Sequence, residues 1–172
     1  MASKPCLSFR PIQDTDIPFL AAVYASTRQA EMAQSGWPQV EIDQFLVSQF
    51  QLQHNYYQQH FPEANFTIVV YEGKSIGRLY TCQEKALLRL IDIALLPEYQ
   101  GQGFGREILR DLLAKAKSRG DDISLYVELT NPAFNWYQRL GFTPCGDNGV
   151  YQQMRWSPAR ITTTTQPMET NA

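Results

Sequence analysis

The sequence has little that would tie it to a metal, a membrane or a nucleic acid. Only three cysteines, Cys6, Cys82 and Cys145, and two histidines, His54 and His60, occur in 172 residues. The cysteines are scattered, odd in number and without paired metal-ligand spacing, which reads as a reduced, cytoplasmic setting. The histidines have no third ligand near them, so no metal site is expected. Fifteen basic residues against 17 acidic ones leave a net charge of -2, which gives no electrostatic case for nucleic acid. No apolar run approaches the ~20 residues that would span a bilayer. The opening Met1-Ala2-Ser3-Lys4-Pro5 leads into no apolar core of signal-peptide length. What remains is a chain 44% hydrophobic, long enough for one well-developed core and a tail.

Glycine is sparse too, but three of the ten glycines crowd into Gln100-Gly101-Gln102-Gly103-Phe104-Gly105. A mostly apolar strand, Leu87 to Leu96, runs into this turn and stops at Pro97. A helix runs out of it with Ile108, Leu109, Leu112, Leu113 and Ala116 as its apolar stripe, ending at Arg119-Gly120. Such a turn lets backbone approach a ligand without a Cβ in the way, and the helix start offers unpaired N–H groups to a phosphate.

Spacing separates the phosphate-binding alternatives. A P-loop needs Lys-Ser or Lys-Thr after its glycines, and Arg106-Glu107 stand there instead. A dinucleotide fingerprint gains some support from Glu128, roughly 20 residues further on. Against it, the glycines are evenly spaced, Arg106 occupies the place of the last one, and too little chain follows.

Gln100, Gly103 and Gly105, with the approach Leu95-Leu96-Pro97-Glu98-Tyr99, resemble the acyl-coenzyme A loop of the GCN5-related N-acetyltransferases (GNAT), written Gln/Arg-Xaa-Xaa-Gly-Xaa-Gly/Ala. A second block, Asn131-Pro132-Ala133-Phe134-Asn135-Trp136-Tyr137-Gln138-Arg139-Leu140-Gly141-Phe142, resembles that family's other hallmark. Read from the residues alone, this block is a short helix capped by Asn131, started by Pro132 and stopped by Gly141, with Phe142 starting a new strand. Ala133, Phe134 and Tyr137 share one face of it. Spacing alone leaves Tyr137 equally open to a packing role.

The resemblance spans about Leu7 to Trp156 as a fold and residues 92 to 142 in its motifs. It implies an α+β domain over residues 7–156, with a mixed, mostly antiparallel sheet flanked by helices and splayed at the cofactor cleft. Residues 157–172 are expected to form a disordered tail. The implied activity is acetyl transfer from acetyl-coenzyme A to a primary amine by direct attack. Ile93, Ala94 and Leu95 would pair with the pantetheine arm, and Gln100, Gly101, Gln102, Gly103, Phe104, Gly105 and Arg106 would hold the pyrophosphate. Asn131, Phe134 and Tyr137 would complete the cofactor site, with Tyr137 as the acid for the departing thiolate. Some members carry a glutamate on the strand before the loop, but that place holds Arg89 here. Asp92 is the nearest carboxylate, either a base or a paired polar residue at a strand kink.

The acceptor is read from less. Arg28, Glu31 and Trp37 lie where the resemblance places the acceptor pocket, joined by Gln49, Tyr56 and Tyr57. A small amine or a protein N-terminus both fit, and a homodimer is compatible with the family. The reading from a different class is an acyl-coenzyme A sensor without turnover. The remaining elements are a strand at Leu7 to Arg10, helices at Phe19 to Met32 and Ile42 to Phe61, and strands at Phe66 to Tyr71 and Ser75 to Cys82. A hairpin at Glu72-Gly73-Lys74 joins the latter two. Strands at Ile123 to Leu129 and Val150 to Trp156 complete the order.

Overall fold

A computed structural model describes residues 5–159. The expected tail lies outside the described residues beyond position 159. β1 (Leu7–Pro11) is followed by two helices, α1 (Ile17–Met32) and α2 (Gln39–His60). β2 (Asn65–Tyr71), β3 (Lys74–Glu84) and β4 (Leu87–Leu95) come next, then α3 (Phe104–Arg119), β5 (Asp122–Glu128) and α4 (Ala133–Arg139). β6 (Thr143–Asp147) and β7 (Tyr151–Trp156) close the chain.

The seven strands form one sheet in the order β1-β2-β3-β4-β5-β7-β6. Every neighbouring pair is antiparallel except β4 and β5, which run parallel. The expected α+β architecture is therefore present, with one crossover through α3. The β2–β3 hairpin turns on Glu72 and Gly73 at φ 48° and 76°, the two left-handed positions that tight hairpins need. The new strand expected to start at Phe142 is present as β6, from Thr143. Thr143-Pro144-Cys145-Gly146-Asp147 has no apolar alternation, and it is held only at the sheet's edge by β7.

Helices cover both faces. On one, Leu20 and Tyr24 of α1 and Ile42, Leu46 and Phe50 of α2 pack on Ile68 and Tyr80. On the other, Phe104, Ile108, Leu109 and Leu112 of α3 pack with Leu90, Leu95, Ile123, Leu125 and Val127. Each such side chain contributes roughly 1.5–3 kcal/mol by leaving water. The α1 stripe changes character along its length: Leu20, Val23 and Tyr24 are buried in the core, while Thr27, Arg28 and Glu31 of the same face line an open cleft. The helix thus anchors at one end and presents polar groups at the other.

Candidate active site

The cleft begins where the sheet parts. β4 and β5 pair only from Leu87 to Leu90 against Asp122 to Leu125, although both strands continue beyond. Just past that point the β3–β4 register slips: Tyr80 faces Asp92 while Thr81 faces Leu90, which leaves Ile91 as an extra residue in β4. A bulge of this kind bends its strand and raises the local twist. A cleft of about 400 Å³ opens there, reached by α1, α2, β3, β4, β5, α4 and β7.

The parting leaves one edge of β4 without a strand partner. Leu96 N–H bonds the Ile76 carbonyl on β3 at 2.9 Å, so the alternation of backbone groups turns those of Leu95 and Ile93 toward the cleft and those of Ala94 toward β3. Gly77 lets β3 come this close, since a Cβ there would lie 2.2 Å from the Ala94 carbonyl oxygen.

The strand then feeds the glycine turn. Pro97–Tyr99 forms a single 3-10 turn, and Gly101 and Gly103 adopt φ 70° and 90°. Nothing lies within 4 Å of a Cβ built on either glycine, so both Cα positions face open space. The first helical bond of α3 is Glu107 N–H to the Gly103 carbonyl at 3.0 Å, and the N-terminus has no side-chain cap. The N–H groups of Phe104, Gly105 and Arg106 thus precede the first i to i-4 bond. Gln100 and Gln102 tie the turn to the backbone before it. Gln100 Nε2 donates to the Leu95 carbonyl at 2.9 Å, and Gln102 Nε2 donates to that of Glu98 at 2.5 Å. The Phe104 ring is in the core against Tyr71, at 4.8 Å between centroids, which leaves only its backbone for a ligand.

The second block behaves as its sequence suggests. Asn131 Oδ1 accepts from Ala133 N–H at 2.9 Å and so caps α4. At the other end Phe142 N–H reaches the Tyr137 carbonyl and Gly141 N–H that of Gln138, the paired bonds of a Schellman stop, with Gly141 at φ 98°. The accompanying apolar contact is between the rings of Tyr137 and Phe142, 5.7 Å apart. The stop that ends the helix therefore also fixes Tyr137, which is 8% exposed and lines the cleft. Burial, with the Asp92 charge behind it, pushes the phenol above its ordinary range. Phe134 is partly buried against the same core.

Two ion pairs line the cleft. Asp92 accepts from Arg78 of β3, whose guanidinium also donates to Gln53 Oε1 at 2.8 Å and lies 5.1 Å from the centroid of the Tyr80 ring. Of the two readings of Asp92, a paired carboxylate at the strand kink is therefore in place, and the residue also lines the cleft. Arg28 of α1 donates to Glu128 of β5 at 2.7 Å and reaches Glu31 at 3.4 Å. Burial disfavours the Arg28 cation, but Glu128 outweighs it and holds the guanidinium above its ordinary value. Tyr57 meets the same cleft, its phenol pushed up by burial and by the Asp92 charge.

Of the expected acceptor residues, Arg28, Glu31 and Tyr57 line the cleft, and Trp37, Gln49 and Tyr56 are not among its lining. Trp37 packs edge-on against Phe45, and Tyr56 stacks on His60 at 3.9 Å. Sequence reading passed over Tyr24, Gln53, Arg78 and Tyr151, all of which line it. Glu128, noticed as a mark of dinucleotide binding, sits in this cleft facing Arg28 instead.

A sheet parted over a glycine turn, with a tyrosine helix across the gap, is the architecture of the N-acetyltransferase fold. PaiA N-acetyltransferase of Thermoplasma acidophilum, solved in complex with coenzyme A, superposes with a TM-score of 0.65 at 19% identity, over 88% of this chain and 99% of that one. Residues 62–144 match the acetyltransferase (GNAT) domain family. Streptothricin acetyltransferase of Streptomyces lavendulae is 39% identical over 69 residues, 38% of this chain and 36% of that protein. Amino-acid acetyltransferase of Aeromonas salmonicida (strain A449) is 31% identical over 81 residues, 46% of this chain and 18% of that protein. The chain thus spans well under half the length of either curated relative. No described helix is long and apolar enough to cross a membrane.

Proposed function

We propose that this protein transfers an acetyl group from acetyl-coenzyme A to a primary amine by direct attack. The observation that carries this reading is the β4 edge without a strand partner at Ile93 and Leu95, which leads into a turn of Cβ-free positions and unpaired amides. The edge can accept the amides of a pantetheine arm as a sheet accepts an added strand. Gly101 and Gly103 leave room for a pyrophosphate, and the amides of Phe104, Gly105 and Arg106 face it with the positive end of the α3 dipole. The bound thioester supplies the acetyl group.

The remaining chemistry falls to the chain's own residues. The amine enters from the side of α1 and α2 and is held in the cleft, so that most of the rate comes from positioning and from backbone dipoles at the thioester oxygen. A C–N bond forms and the C–S bond breaks with its electron pair on sulfur; the ammonium loses two protons in all, and the sulfur takes one. Asp92 is the β4 carboxylate placed to receive a proton from the amine, with Arg78 fixing its orientation. Tyr137, protonated at neutral pH and beyond, donates to the departing sulfur. Because burial makes the phenol a weaker acid than a free tyrosine, its contribution is a hydrogen bond to the thiolate before any full transfer. The named acceptors of the two curated relatives, streptothricin and amino acids, are both amines. An amine-bearing small molecule or a protein N-terminus is the acceptor class here.

Thermal unfolding with acetyl-coenzyme A and, separately, NADH tests the cofactor. A ligand at a hundred times its Kd adds about 2.7 kcal/mol, a shift of roughly 5–11 °C for a chain of this size. A shift with acetyl-coenzyme A alone is expected. A shift with NADH alone would return Glu128 to dinucleotide binding and overturn the acetyltransferase reading.

A further inference from the structure

We infer that the acceptor is a small amino-carboxylate, a zwitterion whose carboxylate is taken by Arg28 while its amine meets Glu128. This deepens the acetyltransferase reading and rests on it. The carrying observation is the Arg28–Glu128 pair itself, 2.7 Å between Nη2 and Oε1, joining α1 to β5 across the cleft. Both side chains are partly buried, at 29% and 31% exposure. Displacing either partner without replacing it leaves a poorly hydrated charge, which is costly. A ligand that inserts here at least cost brings one charge of each sign, as the pair it replaces does.

The rest of the cleft supports one cation and one anion, not several cations. Its charged lining is Arg28, Arg78, Glu31, Asp92 and Glu128. Arg78 and Asp92 are committed to each other, with Gln53 on the guanidinium as well. After both pairs are set aside only Glu31 remains, and at 72% exposure it lies in solvent, where a contact with a charged ligand is worth little. Glu31 reaches Arg28 Nη1 at 3.4 Å from the solvent side, away from the Nη2 that meets Glu128. Tyr24 and Thr27 lie beside Arg28 on the same α1 face, so the carboxylate would arrive at a rim that is already polar.

The test measures release of coenzyme A thiol from acetyl-coenzyme A with three sets of acceptors: the standard L-amino acids with β-alanine, the C-terminal carboxamides of the same amino acids, and the diamine putrescine. At least one amino acid should exceed its own carboxamide by about tenfold or more in kcat/KM, with the difference in KM. Arg28→Gln should erase that preference by raising KM for the acid about tenfold more than KM for the carboxamide. Arg28→Lys, which keeps the charge, should restore part of it. Both variants are first checked for parental thermal unfolding, and if Arg28→Gln fails to fold the preference of Arg28→Lys and of the parent decides. Carboxamides or putrescine acetylated as fast as every acid would overturn the proposal, and so would equal loss on acid and carboxamide in Arg28→Gln. A thermal shift with acetyl-coenzyme A but no transfer to any acid overturns it while leaving cofactor binding intact. No shift and no transfer overturns the acetyltransferase reading beneath it.

Discussion

The guanidinium of Arg78 on β3 grips the carboxylate of Asp92 on β4 diagonally, beside the bulge, where both residues line the cleft. In register Arg78 faces Ala94 and Tyr80 faces Asp92, so the two charges lie on the same face of the sheet two register positions apart. Arg78 is 3% exposed, and removing it would strand Asp92 in a poorly hydrated place. Arg78→Met should therefore cost about 3–5 kcal/mol, a drop in unfolding midpoint of roughly 6 °C or more. Adding Asp92→Leu should recover much of that loss, because no unpaired charge is left. A midpoint within about 2 °C of the parent for Arg78→Met would mean that the pair contributes little.

Asp92 can be separated from its structural role by Asp92→Asn, which keeps an oxygen for Arg78 and removes the proton acceptor. The acetyl-transfer rate should fall about tenfold or more, and its pH profile should change shape. Thermal unfolding with and without acetyl-coenzyme A shows whether the cleft is intact. An unchanged rate and profile in a folded variant would remove Asp92 from the chemistry and leave it as a partner of Arg78.

Tyr137 is held by burial and by the Schellman stop of α4, and the phenol is kept protonated. Tyr137→Phe keeps the ring contact with Phe142 and loses only the hydroxyl. Turnover should drop about tenfold or more with acetyl-coenzyme A affinity unchanged, since a donor to the leaving sulfur matters in the transition state and little before it. For the parent, no loss of rate from phenol ionisation should appear below about pH 10, the value of an ordinary tyrosine. Equal turnover by Tyr137→Phe would assign the residue to packing and bring back the sensor reading.

Much of this site was legible because its parts are local. The strand, the turn with Gly101 and Gly103, and the capped helix carrying Tyr137 are each specified within a few residues, by apolar runs, glycine at positive φ and Asn131 as cap. What was missed depends on long-range placement. Arg78 reads as one polar residue in an apolar strand, and only the β3–β4 register reveals that it lies buried beside Asp92. On α2, Tyr57 lines the cleft as expected, but Gln49 and Tyr56 do not, and Gln53, which does, was missed. The phase was available in the sequence: Ile42, Leu46 and Phe50 mark the inner face, and counting on by three and four gives Gln53 and Tyr57. Glu128 was noticed through a spacing that belongs to another fold, and its partner, 100 positions earlier in the chain, could not be read from it.

Asp16 precedes α1 and takes a two-pronged grip from Arg10, Nη1 to Oδ2 and Nη2 to Oδ1, both at 2.8 Å, together with the Gln13 N–H. The hydrogen bonds from Arg10, against the opposing effect of burial, hold its carboxyl below the ordinary carboxylate range. A carboxyl lowered in the folded state stabilises it above the unfolded value of about 3.9 and loses that contribution as pH falls through the folded value. Urea midpoints should therefore show Asp16→Asn clearly less stable than the parent at pH 7, with the gap narrowing toward pH 3. An equal gap at both values would mean that the carboxylate's charge is not what Arg10 reads.

The glycine turn offers a test in which backbone strain and charge can be told apart. Gly103 has φ 90°, where any side chain is strained, and no atom lies within 4 Å of a Cβ placed there. Gly103→Glu and Gly103→Lys therefore carry similar strain, about 1–2 kcal/mol, and should unfold at similar temperatures. They should differ in cofactor binding. The glutamate adds a negative charge where a pyrophosphate would rest and removes the open approach to the amides of Phe104 and Gly105. The lysine blocks the same approach but adds an attractive charge. Titration with acetyl-coenzyme A should give no measurable binding for Gly103→Glu and an intermediate affinity for Gly103→Lys, whose residual binding weakens as salt is raised, since an exposed charge is screened within about 8 Å at physiological ionic strength. Tight binding by the glutamate variant would place the phosphates elsewhere and leave the turn as a structural link between β4 and α3. Equal weakening by both would assign the loss to strain at φ 90° and not to a phosphate at this turn.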